Sequence, residues 1–461
     1  MKEFIREISP YLLTKLMSEG GDYGEIFYEK TFSTVMRLEG KKLEKAVEGY
    51  DEGVGIRLIK EGKTYYGYTN NISKDSLEEV IKGIVSSAEE GKIKVGLKHI
   101  KGFSQALIDP EDYLPDRKKE ILLKADDTVR SFDSRIIQSG ITLKDSKREM
   151  LIVNSLGEIA EDIQVRTAIY VEAIALQNGT LYKGYDSFGK SGGYEIFENG
   201  DVDVVSYVSE KAAHRAVAGL SAKSVHAGSM PVVISSEAGG TMIHEAVGHG
   251  LEADLAERGL SVYSNKIGEK VASKLITVID DGTIKGKMGS YGIDDEGVPA
   301  QKTVLIENGY LKGFMYDRLT AMENGKKPTG NGRRESYRHI PIVRMRNTFI
   351  APGKDNPHDF IRDIKKGLYV VKMGGGQVNT VNGDFMFEVV EGYMIEDGEI
   401  TYPVKGASLL GNGPDVLKNI EGVGYDIGWS IGTCGKNGQG VPVADAQPTI
   451  MVKSMVVGGH I

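Results

Sequence analysis

The sequence predicts an α+β fold in which an N-terminal α/β layered part is followed by a mainly antiparallel β part. Helical and strand periodicities are interspersed before residue 220, whereas short strand-like runs separated by turn signals dominate after residue 225. A chain of 461 residues is also long enough to form two domains with separate cores. We therefore predict an N-terminal α+β domain at 1–220 and a C-terminal β-rich domain at 225–461.

The elements predicted before residue 220 follow from the spacing of apolar residues. The first helix carries Pro10 in its interior, which favours a kink or a break there. A stretch with Pro110 and Pro115 at 97–116 has the composition of a linker. The predicted helices cover 4–17, 76–87, 116–131 and 201–220. The predicted strands cover 25–28, 34–38, 45–50, 55–59, 63–68, 136–145, 150–154 and 163–175.

The elements predicted after residue 225 are mostly hairpins, because Asp-Gly and Asn-Gly pairs recur between short apolar runs. Hairpins are predicted at 276–286, 304–313 and 392–402, after a strand at 230–234. A helix is predicted at 356–367. So many hairpins indicate a barrel-like or sandwiched antiparallel sheet.

A candidate metal site lies directly after that strand, in M-I-H-E-A-V-G-H-G-L-E-A-D at 242–254. It places His244 and His249 five residues apart, and an ideal helix would point two such rings roughly 140° apart. A single π-turn would restore a shared face, and Gly248 gives the backbone latitude for it. The alternative is an undistorted helix in which Glu245 and His249 form an ordinary surface pair.

A third metal ligand is required, because catalytic zinc usually has three protein ligands and one open position. Cys434, the one cysteine of the chain, lies in the glycine-rich stretch G-T-C-G-K-N-G-Q-G. A lone cysteine is otherwise most often a small buried hydrophobe. Glu252, Asp254 and His339 are further candidates, and Asp254 or Glu252 could instead orient His249 from outside the site.

A basic cluster interrupts the second part at Lys326, Lys327, Arg333, Arg334 and Arg338. We interpret it as a solvated loop, and the alternative is contact with a peptide carboxylate or a partner subunit. The net charge of −8 disfavours a nucleic-acid surface. The residues Tyr337 to His339 are available to stabilise an oxyanion, but nothing in the sequence selects one of them.

Composition predicts a cytoplasmic protein. No stretch approaches the ~20 apolar residues that cross a bilayer, and charged residues interrupt the apolar pattern of the first residues, unlike a signal peptide. One cysteine excludes a framework of disulfides within the chain.

The sequence resembles the TldD branch of the TldD/PmbA family of metallopeptidases, densely over its second half and mainly in general layout over its first. The matching motifs are H-E-A-V-G-H-G-L-E at 244–252, D-D-E-G-V-P at 294–299, L-I-E-N-G at 305–309, R-M-R-N-T at 344–348, G-G-G-Q-V-N at 374–379, G-D-F-M-F at 383–387 and G-T-C-G-K-N-G-Q at 432–439.

The resemblance implies that His244, His249 and Cys434 bind one zinc ion per chain and that Glu245 acts in catalysis. It also implies hydrolysis of short or unfolded peptides, and a homodimer or a heterodimer with a TldE/PmbA-type subunit. We expect neither nucleic acid nor membrane as a partner. The alternatives are a non-catalytic partner or scaffold subunit of a TldD/TldE-type complex and a metal-dependent amidohydrolase that acts on small molecules.

Overall fold

The computed structural model describes residues 1–18, 20–85, 98–102, 106–198 and 202–459. In these ranges, the first part of the chain builds a seven-stranded sheet in the order β3-β2-β1-β5-β6, in which β4 and β7 pair with different lengths of β6. Every pair is antiparallel except β4–β6. The strands are β1 (Tyr23–Glu39), β2 (Lys42–Lys60), β3 (Lys63–Thr69), β4 (Lys98–Lys101), β5 (Ile136–Asn154), β6 (Glu158–Gln177) and β7 (Thr180–Ser191).

Several predicted short strands are segments of longer ones. The runs at 25–28 and 34–38 belong to β1, those at 45–50 and 55–59 to β2, and those at 136–145 and 150–154 to β5. Polar residues such as Glu29, Thr31 and Ser33 broke the apolar pattern of β1, but they remain paired with β2. Strand β7 was missed, and residues 98–101 of the predicted linker form β4. Residues 97 and 103–105 of that linker lie outside the described ranges.

The helices of the first part are α1 (Lys2–Leu16), α2 (Lys74–Val85), α3 (Pro115–Phe132), α4 (Glu195–Glu198) and α5 (Val204–Leu220). Helix α1 continues through Pro10, so the predicted break is wrong. The last two residues of the helix predicted at 76–87 lie outside the described ranges. The even-numbered side chains of β1 face these helices: Ile26 packs with α1 and α2, and Met36 packs with α3 and α5.

The opposite face of this sheet packs against the second part of the chain. Phe27 of β1 shares a small core with Ile293 and Tyr337. Buried ion pairs cross the same boundary, since Arg57 lies 2.5 Å from Glu296 and Arg334 pairs with Glu25. All four of these charged side chains are fully buried, so each charge depends on its partner from the other part.

Two larger sheets form the second part, within the described residues. The six-stranded sheet has the order β12-β11-β10-β15-β22-β21, and the eight-stranded sheet contains a ring of pairings, β16-β9-β23-β19-β17-β16, that closes like a barrel. The strands are β8 (Lys223–Ser224), β9 (Gly228–Ile234), β10 (Val278–Asp281), β11 (Lys302–Glu307), β12 (Tyr310–Leu311), β13 (Gly332–Arg333), β14 (Ile342–Val343), β15 (Asn347–Ile350), β16 (Lys366–Val378), β17 (Asp384–Glu396), β18 (Glu399–Lys405), β19 (Ser408–Asn412), β20 (Ile420–Val423), β21 (Gly428–Lys436), β22 (Gln439–Gln447) and β23 (Ile450–Gly458). The helices are α6 (Thr241–Ile243), α7 (Ala253–Ala256), α8 (Arg318–Glu323) and α9 (Gly413–Lys418).

The predicted α+β class and the β-rich second part are confirmed. The hairpins at 304–313 and 392–402 form, as β11–β12 and β17–β18. The hairpin at 276–286 is wrong, because β10 pairs with β11 and β15 and the Asp281 carboxylate closes a turn onto Thr283. The helix at 356–367 is also wrong: only a 3₁₀ turn forms at Pro357–Phe360. Phe360 and Ile364 instead pack beneath Val233 and Ile395.

The domain boundary near residue 220 stays a prediction. None of the helices in the described ranges has the length and apolar character needed to cross a membrane.

Candidate metal centre

The two histidines lie on an irregular helical segment that follows strand β9. One turn of α-helix, α6, leads into a five-residue π-turn at His244–Gly248 and then into a 3₁₀ turn at His249–Leu251. The N–H of His249 donates to the carbonyl of His244, five residues back. The predicted π-turn is therefore confirmed, and the undistorted helix is wrong. The extra residue brings the two rings to a centroid distance of 5.0 Å with nearly perpendicular planes.

The role of Gly248 differs from the predicted one. Its backbone has ordinary right-handed helical angles, with φ −56° and ψ −55°, so no special latitude is used. A methyl group at this position would instead overlap the sulfur of Met345. Glycine at this position therefore allows the side chain of Met345 to pack directly against the π-turn.

Cys434 reaches the histidines from strand β21, about 190 residues later in the chain. Its buried Sγ lies 3.6 Å from Nε2 of His249. The candidate ligand atoms of His244, His249 and Cys434 all lie within 4.8 Å of one another. Among the described residues, this trio is the group of three or more His, Cys, Asp or Glu side chains that lie close enough together to hold one metal ion.

The other candidates for a third ligand lie outside this trio. Glu252 binds the far nitrogen of His249, Asp254 accepts from Lys436, and His339 contacts the Ser336 hydroxyl. These positions leave Cys434 as the third member of the cluster.

A carboxylate contacts the Nδ1 nitrogen of each histidine ring. Nδ1 of His244 lies 2.8 Å from Asp445 Oδ1, and Nδ1 of His249 lies 2.9 Å from Glu252 Oε2. Because Nδ1 is engaged in each ring, Nε2 is the nitrogen left for the cluster. Carboxylate partners of this kind orient metal-binding histidines and increase their basicity. Glu252 thus fills the orienting role that the sequence offered to it or to Asp254.

Lys436 connects this outer layer to the cysteine strand. Its Nζ donates to Glu252 at 3.0 Å, to Asp254 at 2.7 Å and to the Val343 carbonyl at 3.1 Å. It follows Cys434 by two residues in β21 and therefore shares its face of the strand. Sequence reasoning missed both Lys436 and Asp445. The two-residue offset from Cys434 was a usable signal for the lysine.

The segment before β15 links the π-turn to the cysteine strand. Arg344 is fully buried and donates to the backbone carbonyls of Cys434 and Gln439 in the hairpin between β21 and β22. The next residue, Met345, packs against Gly248. One short segment therefore positions the hairpin and the histidine turn relative to each other.

The electrostatics of the trio favour a thiolate. Burial alone would raise the pKa of Cys434, but hydrogen bonds from His244 and His249 outweigh it and lower that pKa to about 5. Burial disfavours the charged form of His249, yet Glu252 and Cys434 together raise its pKa to about 10. Burial likewise opposes the charge on Glu252, but Lys436 and His249 lower its pKa to about 2.

Glu245 lies on the π-turn next to these groups without joining them. Its Oε2 is 4.0 Å from Nε2 of His249, and its side chain is 26% exposed. Burial raises the pKa of Glu245, opposed by the neighbouring His244 and His249. The carboxylate therefore has access both to solvent and to the edge of the trio.

Asp445→Ala is expected to weaken zinc binding about 10–100-fold, because loss of an outer partner frees a ligand ring to rotate. Competition with a chromophoric chelator measures the dissociation constant. Asp426→Ala is the control, since Asp426 accepts hydrogen bonds from Thr449 rather than from a histidine. Unchanged zinc affinity in Asp445→Ala would contradict the orienting role.

The basic cluster is only partly a solvated loop. Lys326 and Lys327 are exposed, as interpreted, but Arg333 and Arg334 are 4% and 1% exposed. The solvated interpretation is therefore wrong for these two arginines. Arg338 is exposed and pairs with Asp51, with Nη2 2.8 Å from Oδ1.

The fold and the trio together define the class: an α+β protein with a candidate His/His/Cys metal site on a distorted helical turn. Family models describe the same chain in three consecutive segments. Residues 24–88 match PmbA/TldA metallopeptidase domain 1, residues 108–220 the central domain and residues 227–459 the C-terminal domain. The chain belongs to the PmbA/TldD metallopeptidase family.

Curated relatives agree with this assignment over nearly the whole chain. A metalloprotease TldD homologue of Haemophilus influenzae is 38% identical, covering 95% of this chain and 93% of the relative. A TldD homologue of Buchnera aphidicola from Schizaphis graminum is 37% identical, with the same two coverages. A relative from Saccharolobus solfataricus, named a zinc metalloprotease TldD homologue, is 29% identical and covers 96% of this chain and 98% of its own.

Solved structures share the fold. A Thermotoga maritima protein, described as a proposed modulator of a DNA gyrase, has a TM-score of 0.82 at 22% identity and covers 98% of this chain and 100% of its own. TldE from Thermococcus kodakarensis has a TM-score of 0.76 at 20% identity, with full coverage of both chains. At these identities the likeness concerns the fold alone.

Proposed function

We propose that this protein is a zinc-dependent peptidase that hydrolyses short or unfolded peptides, with His244, His249 and Cys434 as the ligands of one zinc ion. The observation that carries the proposal is the convergence of three metal-binding atoms from the π-turn and β21 within 4.8 Å. Its place in a family of metallopeptidases supports the same function.

The donor set fits zinc. Imidazole nitrogens and a thiolate are typical zinc ligands, at about 2.0–2.1 Å and about 2.3 Å from the metal. Tetrahedral angles then imply a sulfur–nitrogen separation of about 3.6 Å. The Sγ of Cys434 and Nε2 of His249 are 3.6 Å apart.

When bound, zinc supplies Lewis-acid chemistry: it polarises a carbonyl group and makes water a stronger nucleophile near neutral pH. The protein supplies the remaining functions. Asp445 and Glu252 fix the two rings, and Arg344 fixes the backbone that carries Cys434. Three ligands from the protein leave room for water or substrate at a fourth position.

Glu245 is the proposed proton acceptor. It lies beside the ligands, it is not one of them, and its carboxylate is partly open to solvent. From there Oε2 or Oε1 takes a proton from the attacking water and returns it to the leaving amine of the peptide.

The assembly state is part of the proposal. We propose that the chain works as a homodimer or with a TldE/PmbA-type subunit, in the cytoplasm, without nucleic acid or membrane as a partner. Glu245 favours a catalytic subunit over a scaffold subunit, because its partly exposed carboxylate lies beside the trio, where a purely structural metal site needs no proton acceptor. Cleavage of peptides rather than of small amides distinguishes a peptidase from the alternative amidohydrolase.

Metal removal tests the function directly. The purified chain, alone and mixed with a TldE-type subunit, is incubated with a library of unfolded peptides, and products are identified by mass spectrometry. We expect cleavage that stops with a chelator and returns when one equivalent of zinc per chain is added. Cleavage that persists in chelator at zero bound metal would refute the proposal.

A further inference from the structure

A cavity of about 580 Å³ lies between the first sheet and the second part of the chain. Its floor consists of side chains from three neighbouring strands, such as Thr31 of β1, Arg148 of β5 and Arg166 of β6. This is the sheet face opposite the helices. The facing wall includes Thr433 and Pro442, which pair across the hairpin that carries Cys434. We call this cavity the groove.

Arg166 is the unusual residue of the groove. It is 7% exposed, and its Nε donates to the Met288 carbonyl at 2.9 Å. Its Nη2 is buried and has no hydrogen-bond partner. The carboxylates of Asp295 and Asp162 are close enough to act on its charge, but among the described residues neither forms an ion pair with it. Arg148, its neighbour on β5, is instead paired with Glu29 at 2.9 Å and Asp295 at 2.8 Å. A buried cation without such partners is unfavourable in the free protein.

Arg333 adds a second positive charge near Arg166. Its Nη1 donates to the Met345 carbonyl at 2.6 Å and its Nη2 to the Pro442 carbonyl at 2.7 Å, and it too has no ion pair with a described carboxylate. Burial, and then the proximity of Arg333 and Arg148, lower the pKa of Arg166 to about 9. Asp295 and Asp162 oppose this lowering of the pKa only in part.

We propose that a peptide substrate is held in the groove by one carboxylate group, which accepts hydrogen bonds from the guanidinium of Arg166 beside Arg333. The inference rests on the proposed peptidase function for the identity of the ligand. A guanidinium group matches a carboxylate, because its N–H groups form a planar fork that bonds two oxygens at once. The carboxylate is either the C-terminus of the peptide or an acidic side chain.

Most acidic side chains of the groove already have a cationic partner. The acidic residues of its lining are Glu29, Asp51, Asp145, Asp295 and Glu335. Glu29 and Asp295 pair with Arg148, Asp51 pairs with Arg338, and Asp145 pairs with Lys118, so these four acids do not serve as partners of Arg166. The volume is also typical of sites for small ligands and short peptides.

The groove and the proposed ligands of the metal lie on opposite faces of β21. Thr433 lines the groove and directly precedes Cys434, so the two side chains point to different faces of the strand. The Pro442 carbonyl that accepts from Arg333 lies opposite Thr433. A peptide anchored at Arg166 therefore lies against β21, which is the edge strand of its sheet.

The test measures binding rather than cleavage. Zinc-loaded full-length protein with Glu245→Gln is titrated into fluorescein-labelled alanine pentapeptides and followed by fluorescence anisotropy. One peptide has a free C-terminus, one has a C-terminal amide, and one is an amide with a single central aspartate. We expect a peptide with a carboxylate to bind about 10–100-fold more tightly than the neutral amide, as for a charged hydrogen-bonded pair.

Two variants of the groove locate the effect. Arg166→Met should reduce the preference for a carboxylate to less than about twofold, and Arg166→Lys should leave an intermediate preference, because it keeps the charge without the fork. Arg338→Met is the matched control: it removes a cation of the same groove that Asp51 already neutralises. Arg338→Met should therefore retain the preference of the parent protein.

The three peptides distinguish the two possible sources of the carboxylate. Tight binding of the free acid alone identifies the C-terminus, and tight binding of the aspartate amide identifies an acidic side chain. Equal affinities for all three peptides, or a preference that survives Arg166→Met, would overturn the proposal. Because no cleavage is measured, an intact preference in a protein without peptidase activity would overturn the proposed function and not this one.

Thermal unfolding supplies an independent readout. Arg166→Met removes an unpaired buried charge and is expected to leave the midpoint unchanged or to raise it. A structural arginine would show the opposite effect. A lowered midpoint accompanied by a retained carboxylate preference would assign Arg166 to stability alone.

Discussion

Replacing Glu245 with glutamine is expected to lower peptide turnover by roughly 10²–10⁴-fold, the usual contribution of a general base, while the zinc content stays at one per chain. Glutamine matches glutamate in size but cannot accept a proton from water. Zinc content should not change, because the carboxylate stands beside the trio and 4.0 Å from the nearer imidazole nitrogen. Steady-state assays with a cleaved peptide and elemental analysis of the same sample measure both quantities.

The matched control is Glu237→Gln, a few residues before the π-turn. Glu237 pairs with Lys211 rather than with the trio, and its side chain is 45% exposed. The control should therefore keep both metal and turnover. Wild-type activity in Glu245→Gln would remove Glu245 from the mechanism, and loss of zinc would make it a ligand.

Cys434→Ala is expected to abolish both zinc binding and peptidase activity. Removal of a ligand should weaken zinc affinity by more than about 100-fold, beyond the 10–100-fold effect of losing an outer partner. Loss of the metal can be distinguished from loss of the fold in this variant. The buried thiol occupies little volume, and alanine still allows β21 to pair with β22. Zinc stoichiometry after dialysis, together with circular dichroism, gives the two readouts.

Thr433→Ala provides the comparison for Cys434→Ala on the same strand. Thr433 is the adjacent residue of β21 and is exposed, whereas Cys434 is buried against the histidines. The control should bind one zinc ion per chain. Full zinc occupancy in Cys434→Ala would show that the third ligand comes from another residue.

The features that depend on local spacing could be predicted from the sequence. His244 and His249 are five residues apart, and a π-turn is the helical conformation that brings side chains at this spacing to one side. Hairpins with Asn308-Gly309 and Asp397-Gly398 formed because these pairs adopt the left-handed angles of a tight turn, with positive φ at all four residues.

The features that depend on contacts between distant segments could not be predicted. Asp445 lies 201 residues from the ring that it orients, and no local pattern marks its carboxylate as a partner of His244. The same holds for Arg333, which the sequence places in a charged loop, whereas the structure buries it against Tyr291 and the carbonyls of Met345 and Pro442. In β1, the polar residues that seemed to interrupt a strand instead line the groove.

The buried pairs between Arg57 and Glu296 and between Glu25 and Arg334 limit how this protein can be divided. A fragment that begins after residue 220 would keep both histidines and the cysteine, yet it would expose Glu296 and Arg334 to water without their partners, together with the apolar side chains of Ile293 and Tyr337. The second part of the chain, which carries the trio, is therefore not an independent folding unit. Truncations or gene fusions that separate it from the first part should yield insoluble protein.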